Sequence, residues 1–394
     1  MAAGRTYLDW NATAPLFPEA REAVLRALDT IGNPSSIHAE GRAARAIVED
    51  ARASIAALVG GETENVVFTS GATEAANALL KQGLTGCCGK NMALAMPVLV
   101  GATEHVAVLA AAGDGRRARV DSDGIMDLDG LKSQLKETGP ALVALQLANN
   151  ETGVIQPIRA IADIVHAEGG ALVVDAVQAP GRISFEMASL GADALFLSAH
   201  KFGGPKGVGA IVFGDSRTRL ASAAISGGGQ ERGQRGGTEN IGGIAGMGAA
   251  AKAVLAKHEA VRKIGELRDG FENHLNRIAP DARIAGQHAP RLPNTSLFAI
   301  PGIAAEKALI AFDLAGVAVS SGSACSSGKV KASHVLRAMD APDWVLAGAI
   351  RLSIGHTTTE AELEKALGVI SRLVAKRPLN PISAEKSAQN SSAA

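Results

Sequence analysis

Short apolar runs alternate with amphipathic stretches through most of this chain, and that alternation limits the possible fold more than any other feature. NVVFTS, MPVLVG, PALVALQLA, ALVVDAV, ADALFLS and VGAIVFG read as strands, and GATEAANALLKQG, TEHVAVLAAAG and IRAIADIVHAEG as helices between them. Apolar runs separated by helices predict a mostly parallel sheet covered on both faces. Two further helices come first: PEAREAVLRALDTI opens after a proline, and RAARAIVEDARASIAALVG ends at a glycine. After about Lys257 the texture changes. A long charged helix, EAVRKIGELRDGFENHLNRI, leads to TSLFAI, EKALIAFDLAG, AVSSG and IRLSIG, which suggests a second, smaller α+β domain. The expected boundaries are a large domain at 16–257, a small domain built from 1–15 and 258–376, and a polar, low-complexity tail at 377–394 that reads as disordered.

The chain has 394 residues, enough for two domains and a large core. Lys plus Arg and Asp plus Glu each total 39, so no net charge draws it to nucleic acid or an anionic membrane. Aromatics make up 3%, too few for base-stacking platforms. The start, MAAGRTYLDW, lacks the basic and apolar regions of a signal peptide, and no apolar run reads as a membrane span. Three cysteines, Cys87, Cys88 and Cys325, suit free thiols in a reducing cytoplasm, and no His/Cys spacing fits a metal site.

In an open parallel sheet, ligands bind beyond the carboxyl ends of the strands, so polar residues just after strands repay inspection. In TSGATE a strand ends, glycine turns the chain and a helix begins at once. Its free N–H groups make an anion site to which Thr73 can add a hydroxyl, though the same residues serve equally as an ordinary helix cap. Neither a Walker loop nor an early GxGxxG is present. In LVVDAVQ, Asp175 closes a strand and Gln178 follows one turn on. A carboxylate there must be paired or bonded, and could hold a protonated ring nitrogen, a metal or a ribose, or simply cap structure. In SAHKFGGPKG, Lys201 stands at the exit of ADALFLS, where desolvation makes an amine nucleophilic, unless it snorkels to solvent. In SSGSACSSG, Cys325 lies among small residues that leave its thiol open, or that bury it in a tight turn. An anion site, a carboxylate at a strand end and a Schiff-base lysine together are what pyridoxal 5'-phosphate requires.

With those residues in hand, the chain resembles the cysteine desulfurases of the NifS/IscS kind, among the class V aminotransferase-like, fold-type I enzymes. GNPSSIH, FTSGATEA, TEHVAVL, NNETGVIQP, VDAVQAPG, SAHKFGGPKGVG, RGGTEN and SSGSACSSG carry the resemblance, which covers nearly all but the tail. Trp10, Ala14 and the Ser-Ser after Cys325 depart from the usual wording. The resemblance implies a large domain with a mostly parallel seven-stranded sheet between helices, plus the smaller domain. It implies that Lys201 holds the cofactor aldehyde, Asp175 its ring nitrogen and Gln178 its phenolic oxygen. His105 would stack on the ring and move protons. Thr73, Ser198 and His200 would bind phosphate, Gly71 and Ala72 the cofactor, and Thr238 the phosphate site of a partner subunit in a homodimer. Asn150 and Arg351 would hold the substrate carboxylate and Cys325 would accept sulfur from L-cysteine, passing it to an iron–sulfur scaffold. Each has a plainer reading: His105 as a first-turn polar residue, Asn150 as an Asx turn, Arg351 as a salt bridge. Selenocysteine lyase, class V aminotransferase and a non-catalytic scaffold are the competing activities, and the motif wording leans toward the nitrogen-fixation type.

Overall fold

A computed structural model describes residues 4–86, 96–257, 260–322 and 332–377. Cys87, Cys88, Cys325 and the tail from residue 378 lie outside the described residues.

The apolar runs assemble into one seven-stranded sheet. Its order is Val66–Thr69, Gly209–Phe213, Ala194–Ser198, Ala171–Asp175, Leu142–Gln146, Val98–Gly101, Arg116–Ala118. Strand Gly209–Phe213 runs antiparallel to both neighbours, and every other pair is parallel. Central strands such as Leu142–Gln146 and Ala194–Ser198 are buried at every position, as expected for a sheet covered on both faces. One apolar layer joins Ile55, Val143, Ile161, Leu195 and Met247; the opposite one joins Leu79, Val100, Val173 and Phe196.

Helix Ile241–Ala256 is mostly glycine and alanine on its buried side, and packs between helices Pro18–Leu28 and Ala39–Val59. A Cβ at Gly248 would stand 2.7 Å from the Ala51 backbone, so the small residue is what lets these two helices approach. Ahead of this helix, a glycine-rich loop is fixed by a buried ion pair. Arg52 donates to both carboxylate oxygens of Glu231 at 2.8 and 2.9 Å, and the Phe68 N–H adds a bond of 2.8 Å to the same group. Glu231 and Arg232 have φ of 47° and 55°, left-handed values that this pairing holds in place.

In the rest of the chain, a four-stranded antiparallel sheet has the order Arg283–Ile284, Thr295–Ala299, Ile350–Ser353, Ser320–Ser321. Phe271, Phe298, Phe312, Ile350 and Ile370 close its core, and Leu8 from the N-terminal segment joins them. Strand Thr6–Tyr7 pairs in parallel with Val317–Ala318, after which the chain crosses to the large sheet. Among the described residues no helix is long and apolar enough to cross a membrane.

Candidate active site

A cavity of about 630 Å³ opens at the carboxyl ends of the parallel strands. Gly71, Ala72, Thr73, His105, Asn150, Asp175, Gln178, Ser198, His200 and Lys201 all line it. Residues up to 130 positions apart, Gly71 to Lys201, are brought together because each follows a strand of the same sheet edge. Thr238 is exposed and is not part of the lining, and Arg351 lies buried just outside it.

Lys201 ends a short 3-10 turn directly after strand Ala194–Ser198. Its Nζ donates to the carbonyls of Asn11 at 2.7 Å and Ala12 at 3.0 Å. Burial, then the nearby Arg182 and Arg351 charges, bring the amine down to about 8, although Asp175 and Asp9 pull the other way. Asp175 is pushed up to about 6 by desolvation, against the Val177 N–H that donates to it at 2.9 Å and the charge of Lys201. His105 caps helix Val106–Ala112, its Nδ1 accepting from the Ala107 N–H at 3.2 Å. Desolvation, Lys201 and His334 bring its ring down to about 4, so it is neutral at physiological pH. His200 is likewise brought to about 4 by burial and the charges of Lys201, Lys206 and Arg182, with Thr13 Oγ1 3.1 Å from its Nδ1. Gln178 bonds the Asn11 carbonyl at 3.2 Å and accepts from Arg182.

Among the described residues no side chain caps helix Ala72–Gln82 at Gly71, which leaves its first amides for the cavity. Gly71 has φ of 152°, and Gly209 packs so tightly on it that a Cβ there would come within 2.8 Å of its Cα. Glu74 also lines the cavity, but its carboxylate is engaged locally. It takes the Ser70 N–H at 2.9 Å and the Arg235 Nε–H at 3.0 Å, tying the glycine-rich loop to this turn.

The Asx turn considered for Asn150 belongs to its neighbour. Asn149 Oδ1 accepts from the Glu151 and Thr152 N–H groups at 2.8 Å each, which leaves the Asn150 side chain for the cavity. Arg351 donates to the Asn150 carbonyl at 2.9 Å and to Asp9 Oδ1 at 2.8 Å, so the plainer salt-bridge reading is also realised. Its Nε–H is buried without a hydrogen-bond partner among the described residues.

Several residues that sequence reasoning passed over belong here. Asn11 supplies the carbonyl shared by Lys201 and Gln178, and its side chain bonds the Asn150 carbonyl at 3.1 Å. The polar NAT stretch after the apolar YLDW was the available signal. Glu104 is a fully buried carboxyl, raised by desolvation, that takes the Gln146 N–H at 3.0 Å and leaves Oε2 unpaired among the described residues. Glu151 is buried as well and is pushed up to about 7 by desolvation, against the Ser333 hydroxyl that donates at 2.6 Å and the Arg351 charge. A raised carboxyl keeps its proton when folded after the unfolded chain has released it. Its contribution is therefore complete below the ordinary value near 4.5 and is lost as pH rises to about 7. Glu151→Gln is neutral throughout, so its stability relative to the parent should rise by about 3 kcal/mol across that window. Urea unfolding of both proteins from pH 4.5 to 8 measures this, and a pH-independent difference would show that Glu151 does not ionise there.

The chemistry of this lining fits pyridoxal phosphate. A buried carboxylate in no direct salt bridge among the described residues suits a pyridinium nitrogen, uncapped helix amides suit a phosphate, and an amine lowered to about 8 suits an aldehyde. The chain belongs to the aminotransferase class-V family, whose pattern matches residues 6–366. It falls among the cysteine desulfurases of that family, which depend on pyridoxal phosphate. It is 40% identical to a cysteine desulfurase of Cereibacter sphaeroides, over 97% of this chain and 99% of the relative. It is 38% identical to a cysteine desulfurase IscS of Dictyoglomus turgidum, over 96% and 97%. The crystal structure of a NifS-like protein from Rickettsia africae superposes with a TM-score of 0.84 at 32% identity, covering 93% of this chain and 99% of that one.

Proposed function

We propose that this enzyme takes sulfur from L-cysteine, releases L-alanine and leaves the sulfur as a persulfide on Cys325. The reading is carried by Lys201, an amine lowered to about 8 on the wall of a cavity that also holds Asp175 and an uncapped helix start. A solved relative, a protein called SspA in complex with cysteine, shares the fold at a TM-score of 0.75 and 25% identity over 90% of this chain.

When bound, pyridoxal phosphate withdraws charge from the substrate α-carbon and so lowers the barrier to breaking its bonds. Asp175 would hold the ring nitrogen, Gln178 the phenolic oxygen, and Gly71, Ala72, Thr73, Ser198 and His200 the phosphate. Lys201 would hold the cofactor and, once displaced by substrate, accept the α-proton at Nζ. With His105 neutral, its ring would stack on the cofactor without adding charge and could carry a proton. Arg351 and Asn150 would take the substrate carboxylate. The Cys325 thiolate attacks the substrate sulfur. The Cβ–S bond breaks with its electron pair left on carbon, Cβ takes up a proton, and sulfur remains on Cys325 at the persulfide level.

A homodimer suits this scheme. Thr238 is exposed on a loop pinned by Glu231 and Arg52, and would serve the phosphate site of a second subunit. Leu28, Ile31 and Ile37, 70%, 86% and 90% exposed, offer apolar surface for such an interface. An iron–sulfur scaffold, of the nitrogen-fixation or the housekeeping kind, would receive the sulfur in the cytoplasm. The test is turnover: with L-cysteine the enzyme should form alanine and sulfane sulfur in equal amounts. Stoichiometric conversion of an α-keto acid to an amino acid, with no sulfur released, would instead mark an aminotransferase. Faster turnover of selenocysteine than of cysteine would mark a lyase for that substrate.

A further inference from the structure

We infer that Asp9 is a specificity-determining residue: it holds the Arg351 guanidinium in the orientation that reads a substrate α-carboxylate. This deepens the proposed function and rests on Arg351 as the carboxylate receptor. The geometry is that of a clamp on one part of the guanidinium. Asp9 Oδ1 takes an Nη2 hydrogen at 2.8 Å and the Asn150 carbonyl takes an Nη1 hydrogen at 2.9 Å. Among the described residues the protein therefore uses two of five N–H donors, and the buried Nε–H has no partner. An arginine held on two sides by charge and carbonyl cannot swing, so the ordering cost of binding an anion is met before substrate arrives.

Asp9 is itself fixed. It bridges to Ser353, two residues beyond Arg351 on the same strand, and its carbonyl accepts the Tyr7 hydroxyl at 3.1 Å and the Ala12 N–H at 3.1 Å. The segment after it, Asn11 and Ala12, supplies the carbonyls that Lys201 holds. Asp9 thus connects the carboxylate receptor to the stretch that carries the amine. The charge of Arg351 lowers both Arg182 and Lys201, and Asp9 opposes that lowering at Lys201.

The test separates recognition of the carboxylate from every other effect. L-Alanine and L-alaninamide are titrated into the cofactor-loaded enzyme, and binding is followed by the change in the cofactor's visible band. The two probes share the amine and side chain and differ in the carboxylate. Asp9→Ala should weaken L-alanine about tenfold and alter L-alaninamide by less than about twofold. Asp9→Asn, which keeps the size and an acceptor oxygen, should lose a smaller factor in the same direction, and guards against misfolding of the alanine variant. Equal weakening of both probes overturns the inference, because an effect relayed through Lys201 or through general loosening would strike both. No weakening of either overturns it too. Arg351→Ala separates the levels. If it loses discrimination between the probes while both Asp9 variants keep it, only the role of Asp9 fails. If it keeps discrimination, Arg351 is not the receptor and both readings fail.

Discussion

Lys201→Ala should abolish turnover of L-cysteine, lowering kcat by at least about 10⁴-fold. Two losses combine in that one substitution. The amine that would retain the cofactor is gone, and so is the base that would accept the α-proton. With Nζ lowered to about 8, roughly a tenth of the free amine is neutral at pH 7, far more than for a surface lysine. Lys201→Arg should be equally dead although it keeps the positive charge, because a guanidinium does not deprotonate in this range. Fold stability should change little, since among the described residues the ammonium bonds only two backbone carbonyls, at the mouth of the cavity. Single-turnover formation of alanine, with cofactor content measured on the same samples, checks the prediction. An alanine variant retaining even a hundredth of parental kcat would show that another group removes the proton.

Cys325→Ala should show a different defect of comparable size. Alanine formation from L-cysteine should fall by at least about 10³-fold and no persulfide should form, because this thiol would be the nucleophile that takes the substrate sulfur. Binding should survive: Asn150, Arg351 and Asp175 are untouched, so L-cysteine should still shift the cofactor band at near-parental concentrations. The pair of variants therefore divides the reaction. Loss of Lys201 would remove the hold on the cofactor and the proton acceptor, whereas loss of Cys325 would remove only the sulfur acceptor. Trapping with a thiol-alkylating reagent after one turnover, followed by peptide mass spectrometry, locates the persulfide. Sulfane sulfur found on Cys87 or Cys88 would reassign the acceptor.

Much of this architecture could be read from residue order because the relevant signals are local. Apolar runs of four or five residues, each followed by a polar group and then a helix, specify a parallel sheet and place Thr73, Asp175 and Lys201 at one edge of it. Strand direction was less accessible. VGAIVFG is buried throughout, and a run apolar on both faces carries no mark of its antiparallel insertion between Val66–Thr69 and Ala194–Ser198. Long-range pairs were hidden for the same reason. Arg52 and Glu231 lie 179 positions apart, and each alone looks like a surface charge. Glu104 and Glu151 look solvated in sequence, and only the packing around them removes water and raises their carboxyls. The N-terminal segment was the largest omission. Its Asn11 and Asp9 reach the site because Thr6–Tyr7 pairs with Val317–Ala318, a contact that no local pattern announces.

Whether Lys201 holds the cofactor is tested most directly by chemistry. The cofactor-loaded enzyme is reduced with borohydride, digested, and searched by mass spectrometry for a lysine carrying a pyridoxyl group. One modified peptide is expected, with the adduct on Lys201. An adduct on any other lysine, or a reduced enzyme that releases its cofactor intact on unfolding, would contradict that role.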